Sequence, residues 1–191
     1  MVKAKRPFIL ALEGIPGSGK TTLRQVLFDD CCTVERVEQI LPGDPDSDTD
    51  MTVDDVIKSD FMKTERAVDS LCDIVVFDRY YLSTLVYQES YDKINGTNTL
   101  EPLAELYAAA LDDGRLIIPD ITVYIDTPLR DSFARKQRQS GDELWINEHF
   151  LRLNREIYNS KPGLYVIDGT NSFDSIKLEI EQLVERSRKN G

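Results

Sequence analysis

Histidine is almost absent from the chain: its 191 residues contain one, His149. That excludes multi-histidine metal centres and histidine triads. Cysteine is scarce as well. Cys31, Cys32 and Cys72 are odd in number, two are adjacent, and no CxxC spacing occurs. Neither a disulfide framework nor a zinc site is built from such a set, so the three read as free thiols. No run of 18 apolar residues exists, which leaves no candidate for a spanning helix. The opening MVKAKRPFILALEG is basic and then apolar, but Phe8 to Leu12 is too short for a signal peptide and Glu13-Gly14 closes it. A cytoplasmic protein without a membrane partner is expected. Basic residues are outnumbered, 23 against 34 acidic, for a net charge of -11. Such a balance disfavours non-specific nucleic-acid binding.

The deficit is local. Residues 29–60 hold eleven acidic side chains against Arg36 and Lys58, whereas the first 28 residues carry five basic side chains against Glu13. Within the acidic stretch, 41–52 (LPGDPDSDTDMT) is all turn formers and polar residues apart from Leu41 and Met51, and reads as a mobile, solvated loop. Phosphates can approach elsewhere. The length and the 41% hydrophobic fraction suit a single domain over 1–191 with an adequate core.

What is there is an alternation of short apolar runs and amphipathic segments. Phe8–Glu13, Ile74–Phe77, Ile121–Ile125 and Leu164–Ile167 read as buried strands, with a further strand over Cys32–Val37. Helices are expected over Thr21–Asp29, Val53–Leu71, Tyr81–Tyr91, Leu100–Leu111, from Pro128 to about Gln139, Ile146–Tyr158 and Ser172–Arg188. In the Val53–Leu71 helix, Val56, Ile57, Phe61, Val68 and Leu71 are the expected core face. Pro128 suits a first helical turn and Ser172 an N-cap. Alternation of this kind implies an α/β fold with a parallel sheet covered on both faces. Ligands then bind beyond the carboxyl ends of the strands. Four strands end at an acid: Glu13, Asp78, Asp126 and Asp168.

Gly14-Ile-Pro16-Gly17-Ser18-Gly19-Lys20-Thr21 fills every position of GxxxxGK[ST], between an apolar strand and a helix. Its glycines permit a tight concave turn whose N–H groups point inward, and the turn runs into a helix N-terminus that favours phosphate. Gly14, Pro16, Gly17, Ser18, Gly19, Lys20, Thr21 and Thr22 are therefore the candidate ATP-phosphate site. Lys20 would reach the β and γ phosphates and Thr21 would coordinate Mg2+. The second strand terminus, Asp78, is the second candidate magnesium ligand. Arg79 follows it and would neutralise charge that builds during transfer; the plainer alternative is a salt bridge to Asp78 or Glu13. Arg135 and Arg138 share one face of a basic helix that leads into Ser140-Gly141-Asp142. A lid over about 135–147 is one reading and a solvated basic face the other.

These residues resemble the thymidylate kinase-like group of phosphate-loop kinases, which also contains the deoxynucleoside kinases. FILALEGIPGSGKTT resembles the group's first strand and phosphate loop. FDRYYLSTLVYQ (Phe77 to Gln88) is similar to its DR-[YH]-x-x-S-x-x-[AV]-Y-Q segment. IPDITVYIDTPLRDSFARKQRQ (Ile118 to Gln139) is similar to its PDLTIYLD strand and arginine-bearing lid helix. LYVIDGTNSFDSI (Leu164 to Ile176) resembles the closing strand and the loop that touches adenine, which makes Asn171 a candidate there. The resemblance implies a three-layer sandwich with a five-stranded parallel sheet of order 2-3-1-4-5, ATP and Mg2+ as cofactors, and a homodimer. It assigns Ser83, Tyr87 and Gln88 to the acceptor site, with Phe61 and Arg66 as base contacts; Phe61 reads equally as a core residue. With no arginine in the phosphate loop, the chain resembles the bacterial members of the group, in which the lid supplies that charge; as a departure, Pro16 stands where the group often has an acid. After the second strand, Arg36-Val-Glu38-Gln-Ile-Leu-Pro-Gly43 stands in place of the group's TREPGG.

Glu38 bears on the acceptor. A 5′-hydroxyl acceptor benefits from a positioned base, which Glu38 would be, whereas a phosphate acceptor needs cations. The DRYYLST segment and the lid favour the latter. The expected function is transfer of the γ-phosphoryl group of Mg-ATP to a nucleoside monophosphate such as dTMP. The alternative is phosphorylation of a deoxynucleoside. A kinase of another small hydroxyl compound stays open, because fold does not fix function. A regulatory ATP-binding protein is the reading of another class; a GTPase is disfavoured by the lack of an [NT]KxD motif.

Overall fold

Uninterrupted apolar runs occupy the middle of the sheet. In this computed structural model, which describes residues 6–28, 35–36, 53–137 and 147–190, the strands are β1 (Phe8–Glu13), β2 (Glu35–Arg36), β3 (Ile74–Asp78), β4 (Ile121–Asp126) and β5 (Tyr165–Asp168). All of β3 and five of the six residues of β1 are buried, as expected of strands covered on both faces. The order is β2-β3-β1-β4-β5 and every neighbouring pair is parallel, as the family resemblance implied. Leu12 stands opposite Asp78, Glu13 opposite Tyr124 and Asp126 opposite Asp168. The strand-end acids therefore share one edge of the sheet.

Alternate residues of β1 feed two different layers. Leu10 and Leu12 pack with Leu23 and Leu27, from α1 (Lys20–Val26) and the turn after it, and with Ile176, Ile180 and Val184 of α7 (Phe173–Asn190). Ile9 and Ala11 face Ala67 of α2 (Val53–Asp69) and Leu103, Tyr107 and Ala110 of α4 (Leu100–Asp112). On that same side, α3 (Tyr81–Asn95) and α6 (Glu148–Ser160) bury Val86, Leu151 and Ile157 around Tyr124. The remaining helix, α5 (Leu129–Gln137), follows β4.

Three expectations need correction. The first helix stops at Val26 rather than Asp29: Leu27 is extended, Phe28 has φ +62°, and both are buried, with the Phe28 amide donating to Glu181 at 3.0 Å. Burial of Phe28 against α7 overrides helical continuation. In α2, Val68 and Leu71 are exposed, at 60% and 103%, and Leu71 lies past the helix end. The buried stripe is Asp60, Lys63, Thr64 and Ala67, flanked by Ile57 and Phe61: Lys63, Thr64 and Asp60 Oδ2 are hydrogen-bonded to partners outside the helix, and Asp60 Oδ1 faces the Lys63 charge at 3.5 Å. Finally, α6 begins at Glu148 rather than Ile146, where the Asn147 side chain accepts from the amides of His149 and Phe150 and fixes the start. The acidic loop 41–52, Glu38, Arg138 and most of the 135–147 lid lie outside the described residues.

Candidate active site

The loop between β1 and α1 is shaped by two glycines that no other residue replaces. Gly14 (φ +149°) would bring a Cβ to 2.8 Å from Ser18 Oγ and 2.9 Å from the Ile125 carbonyl. Gly17 (φ +80°) would bring one to 2.6 Å from the Ser132 carbonyl. The N-cap of α1, Gly19, lies in the left-handed region and no side chain caps it. A glycine-shaped turn that runs into a helix N-terminus favours an anion. Lys20, 4% exposed, folds back over the loop: its Nζ donates to the Gly14 carbonyl at 2.9 Å, the Ile15 carbonyl at 3.0 Å and Ser18 Oγ at 2.9 Å. Thr22 is exposed on the first turn.

Across the sheet edge, Thr21 Oγ1 donates to Asp78 Oδ2 at 2.8 Å. A hydroxyl and a carboxylate beside a phosphate loop form the hard-oxygen pair that Mg2+ takes together with phosphates and water. The residues present therefore fit that ion. No cluster of three or more His, Cys, Asp or Glu occurs among the described residues.

Arg79 is buried under the loop. Its Nη1 donates to the Gly14 carbonyl at 2.9 Å and approaches Ser83 Oγ at 3.4 Å, and the guanidinium lies over the Tyr87 ring at 5.0 Å. Beside it sits Glu13, fully buried. Glu13 Oε1 accepts from the Tyr80 amide at 3.1 Å; its Oε2 accepts from the Tyr158 hydroxyl at 2.8 Å and from Ser83. Burial pushes the Glu13 pKa up, against the Ser83 bond, the Arg79 charge, the Tyr158 bond and the Lys20 charge, and the net direction is upward. The Tyr87 and Tyr158 hydroxyls are raised too, chiefly by burial, so they stay protonated. Tyr158 is held by stacking on Tyr124, centroids 4.9 Å apart.

The first turns of α5 rest on the same loop. Ser132 Oγ donates to the Pro16 carbonyl, and Arg135 Nη1 reaches the Gly17 carbonyl at 3.3 Å while exposed to solvent. Arg155 of α6 grips Asp126 with two bonds, Nε–Oδ1 at 2.6 Å and Nη2–Oδ2 at 2.9 Å. That strand-end acid is therefore paired.

The other expected site residues are dispersed. Asn171 is exposed in the turn after β5, its amide donating to the Asp168 carbonyl at 3.2 Å. Ser83 belongs to the buried Glu13 nest, and Tyr87 packs between Arg79 and Phe150. Gln88 is turned to Asp92 Oδ1 at 3.1 Å and to Thr99. Phe61 packs against the core beneath Arg115, 5.5 Å from its ring centroid, while Arg66 is exposed one turn on. The structure thus assembles Gly14–Thr21, Asp78, Arg79, Ser83, Tyr87 and Arg135, and leaves Thr22, Phe61, Arg66, Gln88 and Asn171 at its margin. Sequence reasoning missed Tyr158, which on its helix reads like any core aromatic beside Leu151, Asn154 and Ile157.

The geometry has matching relatives. A family model described as thymidylate kinase matches residues 63–180. A thymidylate kinase of Thermosipho africanus is 32% identical over 117 residues, covering 59% of this chain and 55% of that protein. A probable thymidylate kinase of Metallosphaera sedula is 26% identical over 201 aligned positions, covering 91% of this chain and 92% of that protein. Among solved structures, deoxyadenosine kinase from M. mycoides with bound dCTP superposes with a TM-score of 0.64 at 19% identity, covering 93% of this chain and all of that one. At that identity the likeness is one of fold.

Proposed function

From the premise that the chain belongs to the thymidylate kinase family, we propose that it transfers the γ-phosphoryl group of ATP to the 5′-phosphate of a deoxynucleoside monophosphate, dTMP or a close relative. The observation that carries this reading is the buried Arg79 guanidinium, held between the Gly14 carbonyl and the Tyr87 ring where strand ends and phosphate loop meet. A cation there suits an anionic acceptor. A hydroxyl acceptor would need a positioned base; Glu13 is engaged by Tyr80, Ser83 and Tyr158, and Glu38, the candidate base, lies outside the described residues.

In this reading the bond between the β-bridging oxygen and the γ phosphorus breaks as an acceptor phosphate oxygen attacks. Lys20 exchanges its bonds to the Gly14 and Ile15 carbonyls for phosphate oxygens. Arg79 steadies the acceptor phosphate, and Arg135 approaches the loop from α5. Thr21 and Asp78 would hold Mg2+, whose charge offsets that of the transferring phosphates. Catalysis is then positioning and electrostatics, with no covalent intermediate on the protein. No described helix is long and apolar enough to cross a membrane. The family resemblance is what supports a homodimer acting on cytoplasmic nucleotides.

A coupled ADP-release assay with Mg-ATP against the deoxynucleoside monophosphates and their nucleosides tests this. Turnover on a monophosphate is expected. Turnover on nucleosides alone would overturn the acceptor assignment and direct attention to Glu38.

A further inference from the structure

A residue with a Cβ does not hold a left-handed backbone without support. Arg79 has φ +65°, a conformation that costs about 1–2 kcal/mol for such a residue. Its amide extends the sheet ladder by donating to the Leu12 carbonyl at 3.0 Å. Its carbonyl accepts from Lys63 Nζ at 2.9 Å. Both ends of the turn are thereby pinned, one by the sheet and one by α2.

Lys63 is 1% exposed, as is Asp60 one helical turn before it, and their charges lie 3.5 Å apart. Asp60 is itself anchored: its Oδ2 accepts from Thr84 Oγ1 at 2.9 Å and from the Tyr107 hydroxyl at 2.7 Å, so α3 and α4 both hold it. A buried ion pair is a poor device for stability alone, because desolvation offsets most of the attraction and an apolar pair of the same volume does as well. An apolar pair, however, donates nothing to the Arg79 carbonyl. That carbonyl shares its residue with the guanidinium that reaches Gly14 and Ser83.

We propose that Lys63, oriented by Asp60, is a positioning residue for phosphoryl transfer: it clamps the Arg79 carbonyl, fixes that residue's left-handed turn, and so keeps the guanidinium under the phosphate loop. The chain of contact runs from Asp60 to Lys63, to the backbone of Arg79, and to the carbonyl of Gly14. This assignment rests on Arg79 serving the reaction as described above.

A double-mutant cycle tests it. Lys63→Met keeps the length of the side chain and removes the donor. It is expected to lower kcat on the best monophosphate about 10- to 100-fold, since small misplacements of a positioning group have effects of that size. The KM for ATP should move less than about threefold, as for a group whose effect falls on the transition state. In an Arg79→Gln background the same substitution should cost less than about twofold, because the two residues act as one unit. Equal losses in both backgrounds would overturn the proposal, and so would an unchanged kcat in folded Lys63→Met. Urea unfolding identifies a variant that fails to fold; Asp60→Asn then takes its place in the same cycle, with the same two outcomes. A second readout does not depend on turnover. The Arg79 carbonyl 13C and side-chain Nε resonances should both shift in the variant. If the wild-type protein turns over no nucleotide, the kinase reading fails on its own, and unshifted Arg79 resonances would separately overturn the clamp.

Discussion

Thr21 and Asp78 meet across the edge of the sheet, the threonine hydroxyl donating to the aspartate Oδ2 at 2.8 Å. The contact joins the first turn of α1 to the end of β3 and sets two oxygen donors side by side. Asp78→Asn should therefore weaken Mg2+ in the reaction at least about tenfold, the scale at which loss of a metal-site group is felt. A magnesium titration of ADP release measures it. Asparagine has nearly the same size and its Oδ1 can still accept from Thr21, so the urea midpoint should change little. An unchanged magnesium dependence would remove Asp78 from the metal site.

Lys20→Ala separates chemistry from folding. The ammonium now satisfies two loop carbonyls and Ser18, and in the reaction it turns to phosphates. Its loss should lower kcat by at least about 100-fold, the scale for one preorganised charge or donor at a transition state. Circular dichroism should be unaltered. Retained turnover would exclude the proposed role of the loop lysine.

Gly17 and Gly96 offer a matched pair, since both have positive φ but only one is crowded. A Cβ at Gly17 meets the Ser132 carbonyl at 2.6 Å, whereas one at Gly96, the C-cap of α3, meets nothing within 4 Å. Gly96→Ala should cost about 1–2 kcal/mol from backbone strain and leave turnover intact. Gly17→Ala adds a clash with α5, an overpacking effect of about 1–3 kcal/mol, and should also lower kcat by displacing Arg135. Urea midpoints and kcat for the two variants check the contrast. Equal kcat losses would mean that the loop–α5 contact is irrelevant to transfer.

The contrast between local and distant information explains what the sequence disclosed. Strand β1, the phosphate loop and Asp78 are legible because an apolar run, a glycine pattern and a terminal acid are contiguous. The Glu13 nest is not, because Tyr158 lies 145 residues from the carboxylate it serves. Lys63 is the sharpest case. In DFMKTER a lysine reads as solvated, yet it is 1% exposed and bonded to a backbone carbonyl 16 residues away. Conversely, Val68 and Leu71 carry the hydrophobicity of core residues and face solvent. Periodicity gives the helix; which face turns inward depends on hydrogen-bond partners that arrive from other elements.

Those partners also give one carboxylate a distinct pH signature. Asp92, near the end of α3, accepts from Thr97 Oγ1 at 2.6 Å, from the Thr99 amide at 2.8 Å and hydroxyl at 2.6 Å, and from the Leu100 amide at 2.7 Å. It thus caps α4 from the preceding helix, because Thr99 makes no side-chain cap of its own. Desolvation pushes its pKa up, but the bonds from Thr97, Thr99, Leu100 and Gln88 outweigh this and hold it well below the ordinary aspartate range. A carboxyl depressed on folding contributes stability that is fully present above its unfolded pKa of about 3.9. That contribution is lost as pH falls through the folded value. Urea unfolding from pH 6 down to about pH 3 should show wild-type stability falling as the unfolded carboxyl takes up its proton near about 3.9. Asp92→Asn should lower stability at neutral pH and flatten that part of the slope, since the amide binds no proton in either state. Turnover should survive, because the partners of this carboxylate are Gln88, Thr97, Thr99 and Leu100 and none belongs to the phosphate loop. An unaltered acid slope in the variant would mean that the Asp92 cap does not govern the acid limb.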